Sequence, residues 1–251
     1  MDIVVCDDLP ALSREAARLV RGSSSAALEA RGRWSLALAG GSTPRMLYQL
    51  LAAPEQPVDR IDWARTQVFF GDERTVPPEH KDSNYGMARQ ALLGPAAIPA
   101  ANVHRMQGEA ADLETAARDY EALLRQHTGS PEGVLDLAIL GMGPDAHTAS
   151  LFPGTTALDE EKRLCTPVTV PQLNTRRLTL TYPVFLRARV VIFLIAGSDK
   201  AQPLAAVIDG PALPRQLPCQ RIVRRAGSVS IVCDHAAASA LGHTATTKEG
   251  S

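Results

Sequence analysis

The sequence has no surplus of charge of either sign. Its 251 residues include 26 Lys and Arg and 27 Asp and Glu, which gives a formal net charge of -1. Proteins that bind extended polyanions through their overall field carry a clear basic excess. We therefore expect neither nucleic acid nor an anionic membrane surface to be a partner of this chain.

Cysteine and long apolar runs are also scarce. The four cysteines, at positions 6, 165, 219 and 233, lie too far apart for a Cys-x-x-Cys metal or redox motif, which predicts reduced, packed thiols. The opening "MDIVVCDDLP" has no signal-peptide pattern. The longest continuous apolar run, Val190 to Ala196, is far shorter than a membrane span requires. We expect a cytoplasmic protein with no membrane segment.

Short apolar runs alternate with longer amphipathic stretches, which is typical of a parallel sheet covered by helices. Strands are predicted near Ile3 and from Ser35, Gln67, Leu135, Arg177, Val190 and Val229. Helices are predicted over 9–29, 44–51, 84–93 and 113–126, the last with one apolar stripe. No linker or repeat interrupts this pattern. We expect a single α/β domain with a mostly parallel sheet over 1–242, and a disordered tail over 243–251.

Function is expected where strands end, because open α/β sheets bind ligands beyond the carboxyl ends of their strands. In "LALAGGSTPRMLYQLL" a buried strand runs through two glycines into a helix. Such a helix start presents free backbone N–H groups and the positive end of its dipole, which bind anions. An ordinary strand-to-helix turn, with a hydroxyl residue capping the helix, explains the same sequence equally well. The candidate anion-binding residues here are Gly40, Gly41, Ser42, Thr43 and Arg45.

A second strand end lies in "QVFFGDERTVPPEH", where a hydrophobic strand stops at Gly71 and Asp72, Glu73 and Arg74 follow. Three successive ionisable side chains at this edge can line a pocket. Charge clusters are usually solvated, so an exposed turn is the alternative. A metal site built from Asp72, Glu73 and His80 matches no standard ligand spacing, and we expect no metal.

The most informative strand end is "LDLAILGMGPDAHTASLFPG", which places Asp145 and His147 two residues apart on a glycine-rich turn. His has an ordinary pKa close to neutrality, and a neighbouring carboxylate can fix its tautomer and stabilise its charged form. The spacing therefore predicts that His147 is a general base supported by Asp145. His127 and His243 have no such setting and are interpreted as packing or surface residues.

The same turn also satisfies the dinucleotide-binding fingerprint, as Gly141-x-Gly143-x-x-Ala146. Three features oppose that interpretation. Asp145 would place a negative charge beside a pyrophosphate, Pro144 removes a backbone donor, and the following segment is a poor start for the required helix. We therefore expect no dinucleotide, and no other cofactor, to be bound.

Lysine is as scarce as cysteine, with four residues against 22 arginines. One of the four, Lys200, follows a buried strand in "VVIFLIAGSDKAQPL" and lies in the first turn of a predicted helix. A cation is slightly disfavoured there by the helix dipole, so a bound anion beside Lys200 would explain its position. A solvated lysine is the plainer alternative.

Taken together, these segments resemble the 6-phosphogluconolactonases of the bacterial type, within the larger group that includes glucosamine-6-phosphate isomerase. The resemblance covers residues 4–238 and is carried by "AGGSTP", "GDER", "DSNYG", "GMGPDAHTASLFPG", "RRLTLTYPV" and "GSDKA", in that order. It implies a modified Rossmann-like α/β fold and hydrolysis of 6-phospho-D-glucono-1,5-lactone in the oxidative pentose phosphate pathway. It also suggests a functional link to glucose-6-phosphate dehydrogenase, which makes that substrate.

The resemblance implies that His147 activates water, that Asp145 and Asp72 shape the site around it, and that Arg74 polarises the lactone carbonyl or its oxyanion. The chemistry of the residues agrees, because lactone hydrolysis needs a base for water, donors for the oxyanion and a proton for the leaving oxygen. No covalent nucleophile is needed, and the sequence contains no Gly-x-Ser-x-Gly elbow.

The resemblance further implies that the 40–45 turn and Lys200 hold the 6-phosphate, with Arg177 a lesser candidate for the phosphate or the rim. One departure concerns Ala146, where the family usually has glycine. If that position requires a positive φ, alanine would strain the loop that carries His147.

Two alternative functions remain. The first is an amino-sugar-phosphate isomerase or deaminase. Members of that group resemble one another in having "DEY" where this chain has Asp72, Glu73 and Arg74, and Asn-Glu where it has Leu151 and Phe152, so both positions oppose this alternative. The second is a non-catalytic sugar-phosphate sensor, for which no pair of DNA-binding helices is evident.

Overall fold

Seven parallel strands form the main sheet of the computed structural model, in the order β10-β1-β9-β8-β5-β2-β3. The structure describes residues 1–54, 56 and 60–242, and the backbone of 247–249. Strand β2, which lies next to the edge strand β3, pairs with a neighbour on each side, so that Leu36 is in register with both Val68 and Leu137. The strands of this sheet are β1 (Asp2–Cys6), β2 (Trp34–Leu38), β3 (Thr66–Phe70), β5 (Leu137–Gly141), β8 (Val190–Ile195), β9 (Val229–Asp234) and β10 (Thr247–Glu249).

Helices cover both faces of the sheet, because successive strand residues alternate between two cores. Phe69 belongs to one core and Phe70 to the other. Helices α1 to α3 pack on the Phe70 side, and α4 to α8 pack on the Phe69 side. The helices are α1 (Leu9–Arg31), α2 (Thr43–Ala52), α3 (Asn84–Ala88), α4 (Leu113–Thr128), α5 (Tyr182–Arg187), α6 (Ala201–Ile208), α7 (Pro218–Arg225) and α8 (His235–Ala238). The predicted α/β class is confirmed.

A second sheet of three antiparallel strands adjoins the first, in the order β4-β7-β6. These strands are β4 (Asp72–Arg74), β6 (Cys165–Val170) and β7 (Thr175–Leu180). The chain passes from β3 to β4 through Gly71, whose N–H donates to the Leu38 carbonyl while its own carbonyl accepts from the Leu180 N–H. The predicted end of the strand at Gly71 is confirmed, because β3 ends at Phe70, but Asp72–Arg74 then form a strand of the smaller sheet rather than a turn.

The predicted helices are found with shifted ends. Asp8 caps α1 by accepting the Ala11 N–H, and Gly32 ends it at a φ of 70°. The helix predicted over 84–93 is α-helical only to Ala88, and a π-helical turn occupies 89–93. In α4 the predicted apolar stripe is buried.

The remaining whole-chain expectations can be compared with the described residues. All four cysteines are free and buried, as predicted, and burial raises the pKa of their thiols. In the range 243–251, where the sequence predicts a disordered tail, residues 247–249 pair with β1 as strand β10. The other six residues of that range lie outside the described residues. Within the described residues, no helix is both long and apolar enough to cross a membrane.

Candidate active site

A cavity of about 360 Å³ lies at the carboxyl ends of β2, β5 and β8, where sequence reasoning places the site. It brings together side chains and backbone from all four predicted strand ends. Two predicted residues do not line it: Arg45 is exposed on α2, and Asp145 lies behind His147. The predicted residues that do line it are Gly40, Gly41, Ser42, Thr43, Asp72, Arg74, His147, Arg177 and Lys200.

The turn after β2 forms one wall of this cavity. Gly41 has a φ of 99°, a conformation that L side chains rarely adopt. At Gly40 an added Cβ would lie 1.9 Å from Asn84 Oδ1, so the close approach of these two segments requires glycine. Helix α2 begins at Thr43 with Pro44 in its first turn, and its amino end faces the cavity. This wall therefore offers backbone donors and two hydroxyl groups to an anion.

Asp72 is buried beside the cavity and has three polar neighbours. Its Oδ1 accepts from the Asn84 amide at 3.1 Å, and its Oδ2 accepts from the Ser150 hydroxyl at 2.6 Å. Arg177 Nη1 lies 3.8 Å from the same Oδ2. The alternative of a solvated turn is therefore wrong for Asp72, whose exposure is 5%. The orientation of its carboxylate is fixed from three sides.

Glu73 does not line the cavity, in contrast to its neighbours Asp72 and Arg74. Its carboxylate accepts the backbone N–H groups of Arg74, Asn84 and Tyr85 and the Ser83 hydroxyl. Burial raises the pKa of Glu73, although these hydrogen bonds oppose the shift. Glu73 thereby anchors the segment that carries Asn84, and through it the contacts to Asp72 and Gly40.

Two arginines lie side by side on the smaller sheet, since Arg74 of β4 faces Arg177 of β7. In each the buried Nε has no hydrogen-bond partner among the described residues, although Arg74 Nη1 donates to the Asp82 carbonyl at 3.0 Å. Burial lowers the pKa of Arg177, the nearby Arg74 charge adds to this, and Asp72 opposes it. Unsatisfied guanidinium donors at a cavity wall suit an anionic or carbonyl oxygen.

His147 and Asp145 form the contact that the sequence predicts. His147 Nδ1 lies 2.5 Å from Asp145 Oδ1, which also accepts the His147 backbone N–H at 3.2 Å. Burial of the Asp145 carboxylate raises its pKa, but the hydrogen bond and charge of His147 outweigh this, and the net pKa is lowered. With Nδ1 occupied, Nε2 is the ring nitrogen left for substrate or water.

The loop that carries His147 holds an alanine in a conformation that favours glycine. Ala146 has a φ of 58°, so the residue expected to require positive φ does adopt it. Its N–H donates to the Gly143 carbonyl and its carbonyl accepts from the Cys219 N–H, each at 3.0 Å. These bonds, to the turn that follows β5 and to α7, hold the strained residue in place.

Lys200 ends a short 3-10 turn, Ser198–Lys200, immediately before α6. Its Nζ lies 2.7 Å from Asp199 Oδ2, and its side chain is 18% exposed. Both residues line the cavity. Without a ligand, Lys200 is therefore mostly buried and forms an ion pair with Asp199.

Two alternatives, a metal site and a dinucleotide site, depend on the placement of specific residues. Within the described residues, no group of three His, Cys, Asp or Glu side chains is placed to hold a metal ion. The segment after Ala146 forms turns rather than the helix that the dinucleotide fingerprint requires.

His127, interpreted as a packing residue, stacks on His104 with ring centroids 4.1 Å apart.

Sequence reasoning did not assign a role to Asn84, Ser150 or Phe152, although all three contact predicted residues. Phe152 stacks on the His147 ring with centroids 3.9 Å apart. The three residues stand within "DSNYG" and "HTASLFPG", two segments that carry the resemblance. Their presence in those segments was the only sequence feature that could have indicated a role in the site. The contacts of Ser150 and Asn84 with Asp72 span 78 and 12 residues of sequence, so no local pattern predicts them.

An open parallel sheet with a cation-lined cavity at its carboxyl edge defines an α/β protein built to bind a small anion. Residues 7–231 match the family described as "Glucosamine-6-phosphate isomerases/6-phosphogluconolactonase". The chain belongs to this family.

Individual relatives agree with this assignment. A 6-phosphogluconolactonase of Nostoc sp. is 39% identical over 243 residues, which cover 95% of this chain and 98% of that protein. The structure of 6-phosphogluconolactonase from Trypanosoma cruzi has a TM-score of 0.82 at 32% identity, covering 95% of this chain and 96% of that one. A monomeric glucosamine-6-phosphate deaminase has a TM-score of 0.81 at 21% identity, covering 96% of this chain and 100% of that one, and supports the fold alone.

Proposed function

We propose that this chain hydrolyses 6-phospho-D-glucono-1,5-lactone to 6-phospho-D-gluconate, with His147 as the general base. The 2.5 Å contact between His147 and Asp145 at the cavity wall carries the assignment of the base. Asp145 holds the proton on Nδ1, which leaves Nε2 free to accept a proton from water. The relatives named 6-phosphogluconolactonase support the choice of substrate.

The reaction needs two further contributions, and the cavity has residues for both. Attack of water on the lactone carbonyl builds negative charge on its oxygen, and Arg74 lines the cavity with an Nε that has no hydrogen-bond partner among the described residues. The ring oxygen that leaves must be protonated, and the imidazolium formed at His147 can return its proton there. General base catalysis contributes about 10²- to 10⁴-fold and one oxyanion donor about 10²- to 10³-fold.

We assign the 6-phosphate to the amino end of α2 and Lys200. The amino end of α2, residues 40–43, supplies backbone N–H groups and hydroxyls, and Lys200 supplies a charge. Arg177 is assigned to the sugar or the rim beside Asp72, because the two side chains lie 3.8 Å apart. Holding the phosphate positions the carbonyl against His147.

The test is an assay of lactone loss above the spontaneous rate, with the lactone generated in place. His147→Asn removes the base while keeping a polar side chain that can still hydrogen-bond to Asp145, and kcat should fall by about 10²-fold or more. His127→Asn is the matched control, because His127 lies outside the cavity and its substitution should leave kcat unchanged. Normal kcat in folded His147→Asn protein would exclude His147 as the base.

Three parts of the proposal remain predictions. Glucosamine 6-phosphate should be neither isomerised nor deaminated, and turnover of it would favour the amino-sugar alternative. A cytoplasmic location is expected from the sequence. The functional link to glucose-6-phosphate dehydrogenase is expected from the substrate, and a pull-down or coupled-rate assay would test for direct contact.

A further inference from the structure

Phe152 is the aromatic neighbour of the proposed base. Its ring centroid lies 3.9 Å from that of His147, and the two planes meet at 23°, so the rings are stacked. Phe152 is 3% exposed, whereas the His147 side chain is 24% exposed. The imidazole therefore has one face against a buried ring and an edge toward the cavity.

The hydrogen bond between Asp145 and His147 Nδ1 restrains the imidazole only as firmly as Asp145 itself is held. The Asp145 side chain is 42% exposed, so this restraint is partial. The surrounding loop has two non-glycine residues at positive φ, Ala146 and Ala149. The Phe152 face supplies a second restraint, because a ring that turned would lose the stacking contact.

The Phe152 ring also suits the charge that His147 acquires during the reaction. An aromatic face carries partial negative charge and attracts a cation placed over it. When His147 takes the proton from water, the imidazolium lies against that face and beside the Asp145 carboxylate. Arg177 Cζ is 5.4 Å from the centroid of the same ring, so Phe152 contacts two of the cationic groups of the cavity.

We propose that Phe152 is a positioning residue for His147, which sets the plane of the imidazole and stabilises its protonated form in the transition state. The inference rests on the proposed role of His147. Phe152 does not line the cavity, so its contribution reaches the substrate only through its neighbours.

Phe152→Leu tests this by removing the ring and keeping an apolar side chain. We expect kcat to fall by roughly 3- to 30-fold, the range of a lost cation–aromatic contact, and KM to change by less than about twofold. Phe152→Tyr keeps an aromatic face and should retain most of the wild-type kcat. Phe193→Leu is the matched control, because Phe193 is a fully buried ring on β8 with no ring contact to His147. It should lower stability without lowering kcat.

A second measurement needs no variant. In the wild-type protein, the carbon-bound ring protons of His147 should resonate upfield of those of His80, because the Phe152 ring current shields them while the His80 side chain is 43% exposed. His147 protons at the position of His80 would overturn the proposal, even if Phe152→Leu failed to fold. Wild-type kcat in Phe152→Leu, or equal losses in Phe152→Leu and Phe193→Leu, would also overturn it. A wild-type protein without lactonase activity would instead refute the proposed function and leave the ring-current result intact.

Discussion

Gly143→Ala should displace the imidazole of His147 while leaving the fold intact. A Cβ built at Gly143 lies 2.1 Å from both Cε1 and Nδ1 of His147, whereas ordinary contacts begin near 3.4 Å. It also lies 2.9 Å from Asp145 Oδ1. Gly143 lacks a positive φ, so alanine is acceptable to its backbone. The clash is therefore with side chains, and the His147 ring has to move by more than about 1 Å.

The size of the effect follows from that displacement. A misplacement of about 1 Å at a catalytic group can lower the rate by about 10²-fold. The moved ring would also lose its 2.5 Å contact with Asp145 and its stacking on Phe152. Stability should change by about 1 kcal/mol or less, because the His147 side chain is partly exposed and alanine restricts the unfolded chain more than glycine does.

The assay is lactone hydrolysis alongside thermal unfolding. We expect a kcat about 10²-fold lower, a KM within about threefold of wild type, and a similar Tm. Gly227→Ala is the matched control, since a Cβ there meets nothing within 4 Å, and its kcat should be unchanged. A Gly143→Ala protein with the wild-type kcat would show that the reaction does not require His147 in the observed position.

Three further outcomes concern stability and binding. Burial and the nearby His127 charge lower the pKa of His104 to about 4. As the pH falls below about 6.5, the unfolded chain therefore binds a proton before the folded chain does. The free energy of unfolding, measured by urea titration, should drop by about 2 kcal/mol between pH 7.5 and 5. His104→Gln should lose this difference, which His80→Gln should retain. Gly22→Ala, on the exposed side of α1 with no Cβ contact, should raise stability by about 0.5–1 kcal/mol. Lys200→Ala should raise KM with little change in kcat, whereas the control Lys162→Ala should leave KM unchanged. An unchanged KM in Lys200→Ala would remove Lys200 from the phosphate site.

The main sheet could be predicted because its strands are buried on both faces. Runs such as that from Val190 are apolar at every position, and this distinguishes them from loops without any knowledge of partners. The edge where ligands bind then follows from the parallel arrangement, which is why Asp145, His147 and Lys200 could be assigned to one site.

The smaller sheet could not be predicted in the same way. Strand β4 consists of Asp72, Glu73 and Arg74, residues that favour exposed turns, and only its pairing with β7 makes it a strand. Its burial comes from tertiary contacts with Ser150 and the segment at Asn84. The sequence pattern contains no periodicity that reports such contacts.

The cations of the cavity differ in how their charge is compensated before substrate arrives. Lys200 is paired with Asp199 at 2.7 Å, and Arg177 lies 3.8 Å from Asp72. Arg74 has a backbone carbonyl as its partner and no carboxylate at ion-pair distance among the described residues. Three cations (Arg74, Arg177 and Lys200) and two carboxylates (Asp72 and Asp199) line the cavity, which leaves one excess positive charge on its wall.

This arrangement bears on how substrate binds. Carboxylate partners hold Lys200 and Arg177 in place, so little side-chain entropy is lost when the ligand is bound. The same carboxylates weaken the attraction for an anion, and the backbone N–H groups at the amino end of α2 carry no such compensation. The affinity for the phosphate should therefore come mainly from the 40–43 turn, with Lys200 adding a smaller contribution. Arg74, the uncompensated cation, should respond most to the charge that develops on the lactone oxygen.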